Sequence, residues 1–283
     1  MRILVTGGKG QLGVEVTNTL MANDHQVCSY GRDELDITNL DEVIKTIENL
    51  RPEVIVHTAA YTQVDKAEQE VDQAYLVNAY GTRNIAVAAE KIGAKLIYIS
   101  TDYVFDGESN IPYTEFVPTN PRTVYGKSKL AGEKFVQQLS SKFFILRTSW
   151  VYGKHGNNFV RTMLKLATQQ PELRVVHDQV GCPTYTRDLA EFISKVMYSE
   201  KYGIYHVSNA GQCSWYEFAK AIFEETRSND IRITPVTTVD FPRPAPRPRY
   251  SVFDHMAIRL NGFQPIRPWK DALKDYLDEM HND

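Results

Sequence analysis

The chain has 283 residues, enough for one large domain, or for one domain and a smaller partner, around a sizeable core. Thirty-two basic and thirty-five acidic residues give a formal net charge of -3, so no strong field attracts nucleic acid or an anionic membrane. A small soluble ligand is therefore the expected partner.

The first half of the chain alternates short β-branched runs with longer helical patterns. Strands buried on both faces are predicted over 2–6, 26–30, 53–58, 95–100 and 143–148. Helices are predicted over 10–22, 39–50 and 71–93, with Thr38 or Asn39 as the cap of the second. This alternation predicts an α/β fold with a Rossmann-type doubly wound parallel sheet over residues 1–150.

The second half has a looser rhythm. Helices are predicted over 157–170, 186–199 and 214–227, a strand over 203–208, and a closing helix from about Trp269. The stretch 235–254 is dense in proline and arginine; we expect an ordered loop packed against a site, with a disordered linker as the alternative. Residues 151–283 are predicted to form mainly a smaller C-terminal α/β substrate-binding lobe, and the chain is free to cross between the two parts.

The cysteines and the N-terminus bear on the compartment. Cys28, Cys182 and Cys213 are odd in number, far apart and without metal-ligand spacing, which favours free thiols in a reducing compartment. "MRILVTGG" passes from one basic residue to a short apolar run and then to glycine, too short for a signal peptide or a membrane anchor. We expect a cytoplasmic protein.

A glycine-rich turn follows the first predicted strand. "LVTGGKGQLG" places Gly7, Gly10 and Gly13 between that strand and the first helix, where a dinucleotide fingerprint requires them. The glycines allow a tight turn, close approach to a pyrophosphate and close helix packing, while the helix amides face the anion. A glycine-rich turn without a ligand is the alternative, and this position favours the dinucleotide.

The end of the second strand bears on which dinucleotide binds. Tyr30 and Gly31 stand near the position where NAD-selective sites carry an acid, and Arg32 follows them. An arginine there suits a 2′-phosphate, although Asp33 beside it leaves a solvated surface arginine as the other interpretation. We expect NADPH as the cofactor, with NADH also accepted.

"TVYGKSKLAGEK" places Tyr125 and Lys129 four residues apart, on one face if the run is helical. A free phenol has a pKa near 10, too high for efficient proton exchange at neutral pH, and a neighbouring ammonium lowers it. By itself the pair is more typical of a tyrosine packed beside a solvated lysine. After a dinucleotide fingerprint in a parallel α/β domain, it predicts a proton donor and its partner.

Polar residues also follow the third and fourth strands, whose carboxyl ends are where such sheets bind ligands. Thr101 is predicted to hydrogen-bond the carbonyl that Tyr125 protonates. Asp102 either contacts substrate or caps loop amides. "HTAAYTQVD" follows the third strand. Its small residues Ala59 and Ala60 would let the backbone approach a cofactor closely, with packing as the alternative. Tyr61 and Thr62 would line the cofactor.

Together these motifs resemble the extended short-chain dehydrogenase/reductase family over essentially the whole chain. "STDYVFDG", "YGKSKLAGE", "RTSWVYG", "DQVGCPTYTRDLA" and "RPRYSVFD" most resemble its reductases of 4-keto nucleotide-sugars. The resemblance implies reduction of the C4 keto group of dTDP-4-dehydro-L-rhamnose by hydride transfer from NADPH or NADH. Tyr125 would donate the proton, Lys129 would hold the ribose and lower the pKa of Tyr125, and Thr101 would polarise the carbonyl.

The resemblance also assigns binding residues. The cofactor would run along the glycine turn and the ends of the next strands, at Gly10, Gln11, Leu12, Asp36, Ile37, Ala60, Tyr61 and Thr62. The sugar would contact Asp102, Trp150 and the loop with Pro183 and Thr184, where Cys182 replaces a common serine. Arg247 would bind the diphosphate, with Arg243 and Arg249 as alternatives.

Three rival functions are compatible with some of these features. A nucleotide-sugar epimerase shares the glycine turn and the tyrosine-lysine pair. A dehydratase would carry a glutamate after Asp102, where this chain has Tyr103. A non-catalytic NADP-binding regulatory subunit belongs to a different class, and an intact Thr101, Tyr125 and Lys129 argues against it. Some relatives are dimers with an interfacial magnesium ion, for which Glu15 and Glu191 would be the candidate ligands here.

Overall fold

The computed structural model describes residues 1–226 and 231–281. Its strands are β1 Arg2–Thr6, β2 Gln26–Tyr30, β3 Val54–His57, β4 Lys95–Thr101, β5 Phe143–Thr148, β6 Val151–Tyr152, β7 Glu172–Val176, β8 Val180–Gly181, β9 Thr184–Tyr185, β10 Gly203–His206, β11 Cys213–Ser214 and β12 Arg232–Val236. Its α-helices are α1 Gln11–Ala22, α2 Leu40–Leu50, α3 Val64–Ala67, α4 Val71–Tyr75, α5 Thr82–Ile92, α6 Val124–Leu139, α7 Phe159–Ala167, α8 Thr186–Val196, α9 Trp215–Glu225, α10 Met256–Leu260 and α11 Trp269–His281.

The main sheet has six strands in the order β10-β5-β4-β3-β1-β2, and every neighbouring pair is parallel. One face packs on α1, α8 and α10 through a core that includes Val16, Leu189 and Ile258. The other packs on α2, α5 and α6 through a core that includes Ile47 and Ile85. The predicted doubly wound α/β fold is therefore confirmed.

Local signals fixed most elements of the first half. Asn39 caps α2 by accepting a hydrogen bond from the Glu42 amide, which settles the choice between Thr38 and Asn39. The helix predicted over 71–93 is present but is interrupted by a π-helical segment, Leu76–Gly81. Such π-turns are frequent at functional sites, and this one contains Asn78, which reappears below.

The second half adds small strand pairs that the sequence did not predict: β6 with β9, β7 with β12 and β8 with β11. They were missed because each is short and pairs with a distant segment, so no local alternation marks it. They surround an aromatic core with α7, α9 and α11. The predicted helix end at residue 227 lies outside the described residues.

Two parts of the second half return to the main sheet. β10 pairs with β5, and α8 packs on α1. The proline-rich stretch is ordered as expected: Phe253 bridges to Tyr113, and Tyr250 bridges to Val180. Across the described ranges, none of the helices combines the length and apolar character needed to span a membrane.

Helix α6 lies very close to its neighbours. Thr123 caps it by accepting from the Gly126 amide at 3.0 Å. A Cβ added at Gly126 would lie 2.1 Å from the Tyr103 carbonyl oxygen. One added at Gly132 would lie 2.4 Å from the Asn78 carbonyl oxygen. A side chain at either of these two positions would therefore collide with neighbouring backbone.

We expect Gly132→Ala to destabilise the fold by about 1–3 kcal/mol, because the steric cost exceeds the gain in helix propensity. Urea unfolding measures this change. Lys134→Ala, on the exposed face of the same helix, is the control and should change stability by no more than about 0.5 kcal/mol. Equal stability of Gly132→Ala and the natural protein would contradict the close packing.

Candidate active site

A cavity of about 1360 Å³ opens at the carboxyl ends of the central strands. One side is the sheet edge that follows β1, β3 and β4, and the other comes from the C-terminal half. Most predicted site residues line it: Gly7, Gly10, Gln11, Leu12, Gly13, Arg32, Asp36, Ile37, Ala60, Tyr61, Thr62, Thr101, Asp102, Tyr125, Lys129, Trp150 and Arg247.

The glycine turn has the geometry of an anion site. Gly7 has φ +70°, and a Cβ there would lie 2.6 Å from the Ala59 amide nitrogen. A Cβ on Gly13 would lie 2.2 Å from the Gly7 carbonyl oxygen, so α1 packs directly on the turn. Gly10 caps α1 without a side-chain hydrogen bond. The first-turn amides of α1 therefore suit a diphosphate.

Two cations line the cavity where the glycine turn meets the end of β2. Arg32 is one, as predicted, and Lys9 is the other, which sequence reasoning missed. The Lys9 ammonium lies 3.2 Å from the Glu34 carboxylate and 3.9 Å from Asp33. The signal for Lys9 was its place inside the glycine turn, and only the fold packs its side chain against Gly31, the residue before Arg32.

The loop after β3 is held by a residue that the sequence analysis did not single out. Asn78 is fully buried in the π-helical segment. Its side chain accepts from the Tyr61 amide at 2.8 Å and donates to the Tyr61 carbonyl at 3.1 Å. It also donates to the Ser128 hydroxyl at 3.0 Å. Asn78 therefore links the loop that lines the cavity to the helix that carries Tyr125 and Lys129.

The predicted reactive residues converge at the end of β4. Thr101 ends the strand, and Tyr125 is half-buried at the cavity wall, edge-on to the Tyr103 ring at 5.5 Å. The Thr101 hydroxyl donates to Asp102 at 3.0 Å. The Lys129 ammonium is buried, donates to the Ile99 carbonyl at 2.7 Å and lies 4.2 Å from the centre of the Tyr98 ring.

Burial dominates the electrostatics of this group. It raises the pKa of Tyr125 to about 12, with a small lowering by the Thr101 hydroxyl and a further rise from Asp102. Our expectation that Lys129 would lower this pKa is wrong for this arrangement, because desolvation of the phenolate is the largest cause of the shift and the ammonium is bound to Ile99. Burial lowers the pKa of Lys129 to about 7, opposed by Glu133.

One wall of the cavity is aromatic. The Trp150 indole stacks on Trp215 with ring centres 3.5 Å apart and planes 8° from parallel. Phe159 packs against Trp215 at 4.5 Å. The sequence predicted Trp215 only as part of the first turn of a helix. That it lines the cavity is shown only by the structure. Trp150 has φ +48°, a left-handed conformation that tryptophan rarely adopts.

Pro183 and Thr184 do not line the cavity. Thr184 is buried in β9, and its amide donates to the Trp150 carbonyl at 3.2 Å. Cys182, next to them, is a buried free thiol, and burial raises its pKa to about 11. A contact of Pro183 or Thr184 with substrate stays a prediction.

The three arginines of the proline-rich loop occupy different places. Arg247 lines the cavity and pairs with the Asp65 carboxylate at 2.8 Å. Arg243 lines the same cavity and lies over the Phe241 ring. Arg249 lies outside it, beside a smaller cavity of about 200 Å³, and donates to Asn110. The structure thus brings two of the three candidate arginines to the site.

The predicted metal ligands do not form a site within the chain. Glu15 and Glu191 belong to no cluster of three or more potential metal ligands among the described residues. Burial raises the pKa of Glu15, and Glu279 raises it further, while Arg187 and His155 lower it. A magnesium ion between two chains stays an expectation.

The fold and the cavity together define an extended short-chain dehydrogenase/reductase. Its features are the parallel sheet, the glycine turn at α1, and a cavity lined by Thr101, Tyr125 and Lys129. The family model described as RmlD substrate binding domain matches residues 1–282. The chain therefore belongs to that family, and the resemblance predicted from its motifs is confirmed.

Relatives of known name match over nearly full length. The chain is 47% identical to the spore coat polysaccharide biosynthesis protein SpsK of Bacillus subtilis, covering 98% of this chain and 97% of that protein. It is 44% identical to the dTDP-4-dehydrorhamnose reductase of Aggregatibacter actinomycetemcomitans, covering 97% of each. The structure of the Bacillus anthracis dTDP-4-dehydrorhamnose reductase in complex with NADP aligns with TM-score 0.95 and 48% identity, over 98% of this chain and 99% of that one.

Asp102 leads to a prediction about stability and pH. Burial raises the pKa of its carboxyl to about 6 from an ordinary 3.8. The folded chain thus holds this proton more tightly than the unfolded chain, so stability falls as pH rises from about 4 to about 6. We expect Asp102→Asn to be more stable than the natural protein at pH 7, and this difference to vanish at pH 4, in urea unfolding.

Asp106→Asn is the matched control with the opposite sign. A hydrogen bond from the Glu108 amide, with further bonds from Asn120 and Tyr113, lowers the pKa of Asp106. Its substitution should therefore lower stability at pH 7. If the difference in free energy of unfolding between Asp102→Asn and the natural protein did not change with pH, the raised pKa of Asp102 would be contradicted.

Proposed function

We propose that this chain reduces the C4 keto group of dTDP-4-dehydro-L-rhamnose to give dTDP-L-rhamnose, a precursor of cell-surface polysaccharide. The observation that carries this proposal is the convergence of Thr101, Tyr125 and Lys129 with a dinucleotide turn in one cavity. The names of the full-length relatives agree with it. The protein is an NAD(P)H-dependent oxidoreductase.

Tyr125 is the proton donor. Because its pKa is about 12, the phenol stays protonated at neutral pH, which is the form that reduction requires. Proton transfer becomes favourable as negative charge develops on the substrate oxygen. The Thr101 hydroxyl, at the end of β4, would turn from Asp102 to donate to the same oxygen and stabilise that charge.

The cofactor is NADPH, which supplies the hydride when bound. The residues that line the cavity fit this cofactor: the α1 amides at Gln11 and Leu12 would bind the diphosphate, and Ala60 to Thr62 would lie along its length. Asp36 and Ile37 line the adenosine end, where Arg32 and Lys9 would bind a 2′-phosphate. Lys129 would hold the nicotinamide ribose. NADH would be accepted with lower affinity, since it lacks the phosphate.

The nucleotide-sugar would occupy the other half of the cavity. Trp150 presents an aromatic surface suited to the sugar, and Arg247 or Arg243 suits the diphosphate. Asp102 would contact the sugar beside Thr101. Residues 1–150 would then form the cofactor part and residues 151–283 mainly the nucleotide-sugar part, with α8 and β10 returning to the sheet.

The rival functions gain no support. Solved structures of an epimerase and a dehydratase with NAD align at 22% and 19% identity, which reflects the shared fold alone. The residue after Asp102 is Tyr103, so the glutamate base of the dehydratases is missing. The presence of Thr101, Tyr125 and Lys129 favours an enzyme over a non-catalytic regulatory subunit. We also propose a cytoplasmic location, which fits the free thiols of the described residues, and a homodimer, which rests on the resemblance alone.

The direct test is NADPH oxidation with dTDP-4-dehydro-L-rhamnose. We expect turnover by the natural protein and a fall in kcat of at least about 100-fold in Tyr125→Phe, which cannot donate the proton. Tyr198→Phe, at an exposed position, is the control and should keep full activity. Absence of turnover by the natural protein would refute the proposed reaction, and equal turnover by Tyr125→Phe would remove Tyr125 from the mechanism.

Cofactor selectivity gives a second test. Arg32→Ala should raise the KM for NADPH about tenfold, the effect of losing one charged hydrogen bond, and leave the KM for NADH unchanged. Lys9→Ala should act in the same direction. Lys45→Ala, an exposed lysine on α2, is the control. An equal rise for both cofactors would show that Arg32 does not read the 2′-phosphate.

A further inference from the structure

A buried ion pair lies beneath the reactive residues. Glu133, two turns after Tyr125 on α6, is fully buried, and Arg147 on β5 is 3% exposed. Two parallel hydrogen bonds join them: Arg147 Nε donates to Oε1 at 2.9 Å and a terminal nitrogen donates to Oε2 at 2.7 Å. This bidentate geometry is the strong form of an arginine–carboxylate contact.

The pair belongs to a polar row across the sheet. Ser100 on β4 stands in register with Arg147, and its hydroxyl donates to Glu133 at 2.5 Å. His206 on β10 is the next partner of Arg147 in the register, and its ring lies 3.5 Å from the guanidinium. One carboxylate on α6 thereby holds two strands just below Thr101.

Lys129 and Glu133 bind consecutive residues of the same strand. The Lys129 ammonium donates to the Ile99 carbonyl, and Glu133 accepts from Ser100. Thr101 is the next residue along β4. Helix α6 is therefore attached to the strand at two adjacent points, and these points set the distance between Tyr125 and Thr101.

We propose that Glu133 is a positioning residue for the reaction, which fixes α6 on β4 through Ser100 and Arg147 and supplies the negative charge that keeps the Lys129 ammonium protonated. This inference rests on the proposed function, because it assigns Lys129 and Tyr125 their roles in that reaction. Neither Glu133 nor Arg147 lines the cavity, so both act through other residues.

The charges around Lys129 support this assignment. His57 from β3 is buried between Thr6 and Thr82, and burial and Lys129 lower its pKa to about 3, so it stays neutral. Tyr98 from β4 has its pKa raised by burial and is neutral as well.

On α6, Tyr125 is protonated at neutral pH. Burial lowers the pKa of Lys129 to about 7, and Glu133 opposes that shift. Removal of the Glu133 charge would therefore shift Lys129 towards the neutral amine.

The test combines a titration with a pH profile. Nuclear magnetic resonance of isotope-labelled lysine side chains follows Lys129, assigned by the signal lost in Lys129→Arg. In Glu133→Gln we expect the Lys129 midpoint to fall by about 1 pH unit or more, because a nearby opposite charge has been removed. Activity that needs the ammonium should be lost on the alkaline side at a correspondingly lower pH. Glu224→Gln, which changes an exposed glutamate on α9, is the matched control. It should leave unchanged both the Lys129 titration midpoint and the pH at which activity is lost on the alkaline side.

A second variant guards against unfolding, since Glu133→Gln leaves Arg147 buried without its partner. Glu133→Met combined with Arg147→Met removes both charges and should fold. Its Lys129 midpoint should also lie below that of the natural protein. An unchanged midpoint in either folded variant overturns the proposal. Failure of the natural protein to reduce dTDP-4-dehydro-L-rhamnose would refute the proposed reaction. The titration needs no substrate, so it would still decide whether Glu133 keeps Lys129 protonated.

Discussion

Helix α6 packs on its neighbours through two glycines that leave no room for a Cβ, and the rest of the site depends on this close contact. Gly126 and Gly132 let the helix approach Tyr103 and Asn78 within distances that a Cβ would not allow. Lys129 then reaches the Ile99 carbonyl, one strand position from Ser100 and two from Thr101. Because the helix cannot slide without breaking this contact, Tyr125 is held at the end of the strand that presents Thr101.

The cavity forms because the chain leaves the main sheet after β5 and returns to it with α8 and β10. The parallel strands deliver their carboxyl ends to one edge, where backbone amides and small residues suit a dinucleotide. The opposite wall needs side chains from distant segments, Trp150, Trp215 and Arg247. β10 and α8 return to the main sheet between those segments, so the two walls are tied together by the same core.

Burial sets the pKa values of three side chains in the cavity wall. In water Lys129 would be fully charged and Asp102 fully ionised at neutral pH. In the cavity wall their pKa values move to about 7 and about 6, and that of Tyr125 rises to about 12. Tyr125, which is protonated at neutral pH, thus lies one helical turn from a lysine whose charge depends on its neighbours. The cost is stability, since an ionised Asp102 disfavours the folded chain.

The sequence by itself determined the parallel sheet, the glycine turn and the identities of Thr101, Tyr125 and Lys129, because hydrophobic period, turn chemistry and residue spacing are local signals. Only the tertiary structure packed Lys9 against Gly31, stacked Trp215 on Trp150 and paired Arg247 with Asp65. It also reversed the predicted direction of the Tyr125 pKa shift. These features arise from residues far apart in the chain and from the low polarity of the buried site, and neither leaves a periodic trace in the sequence.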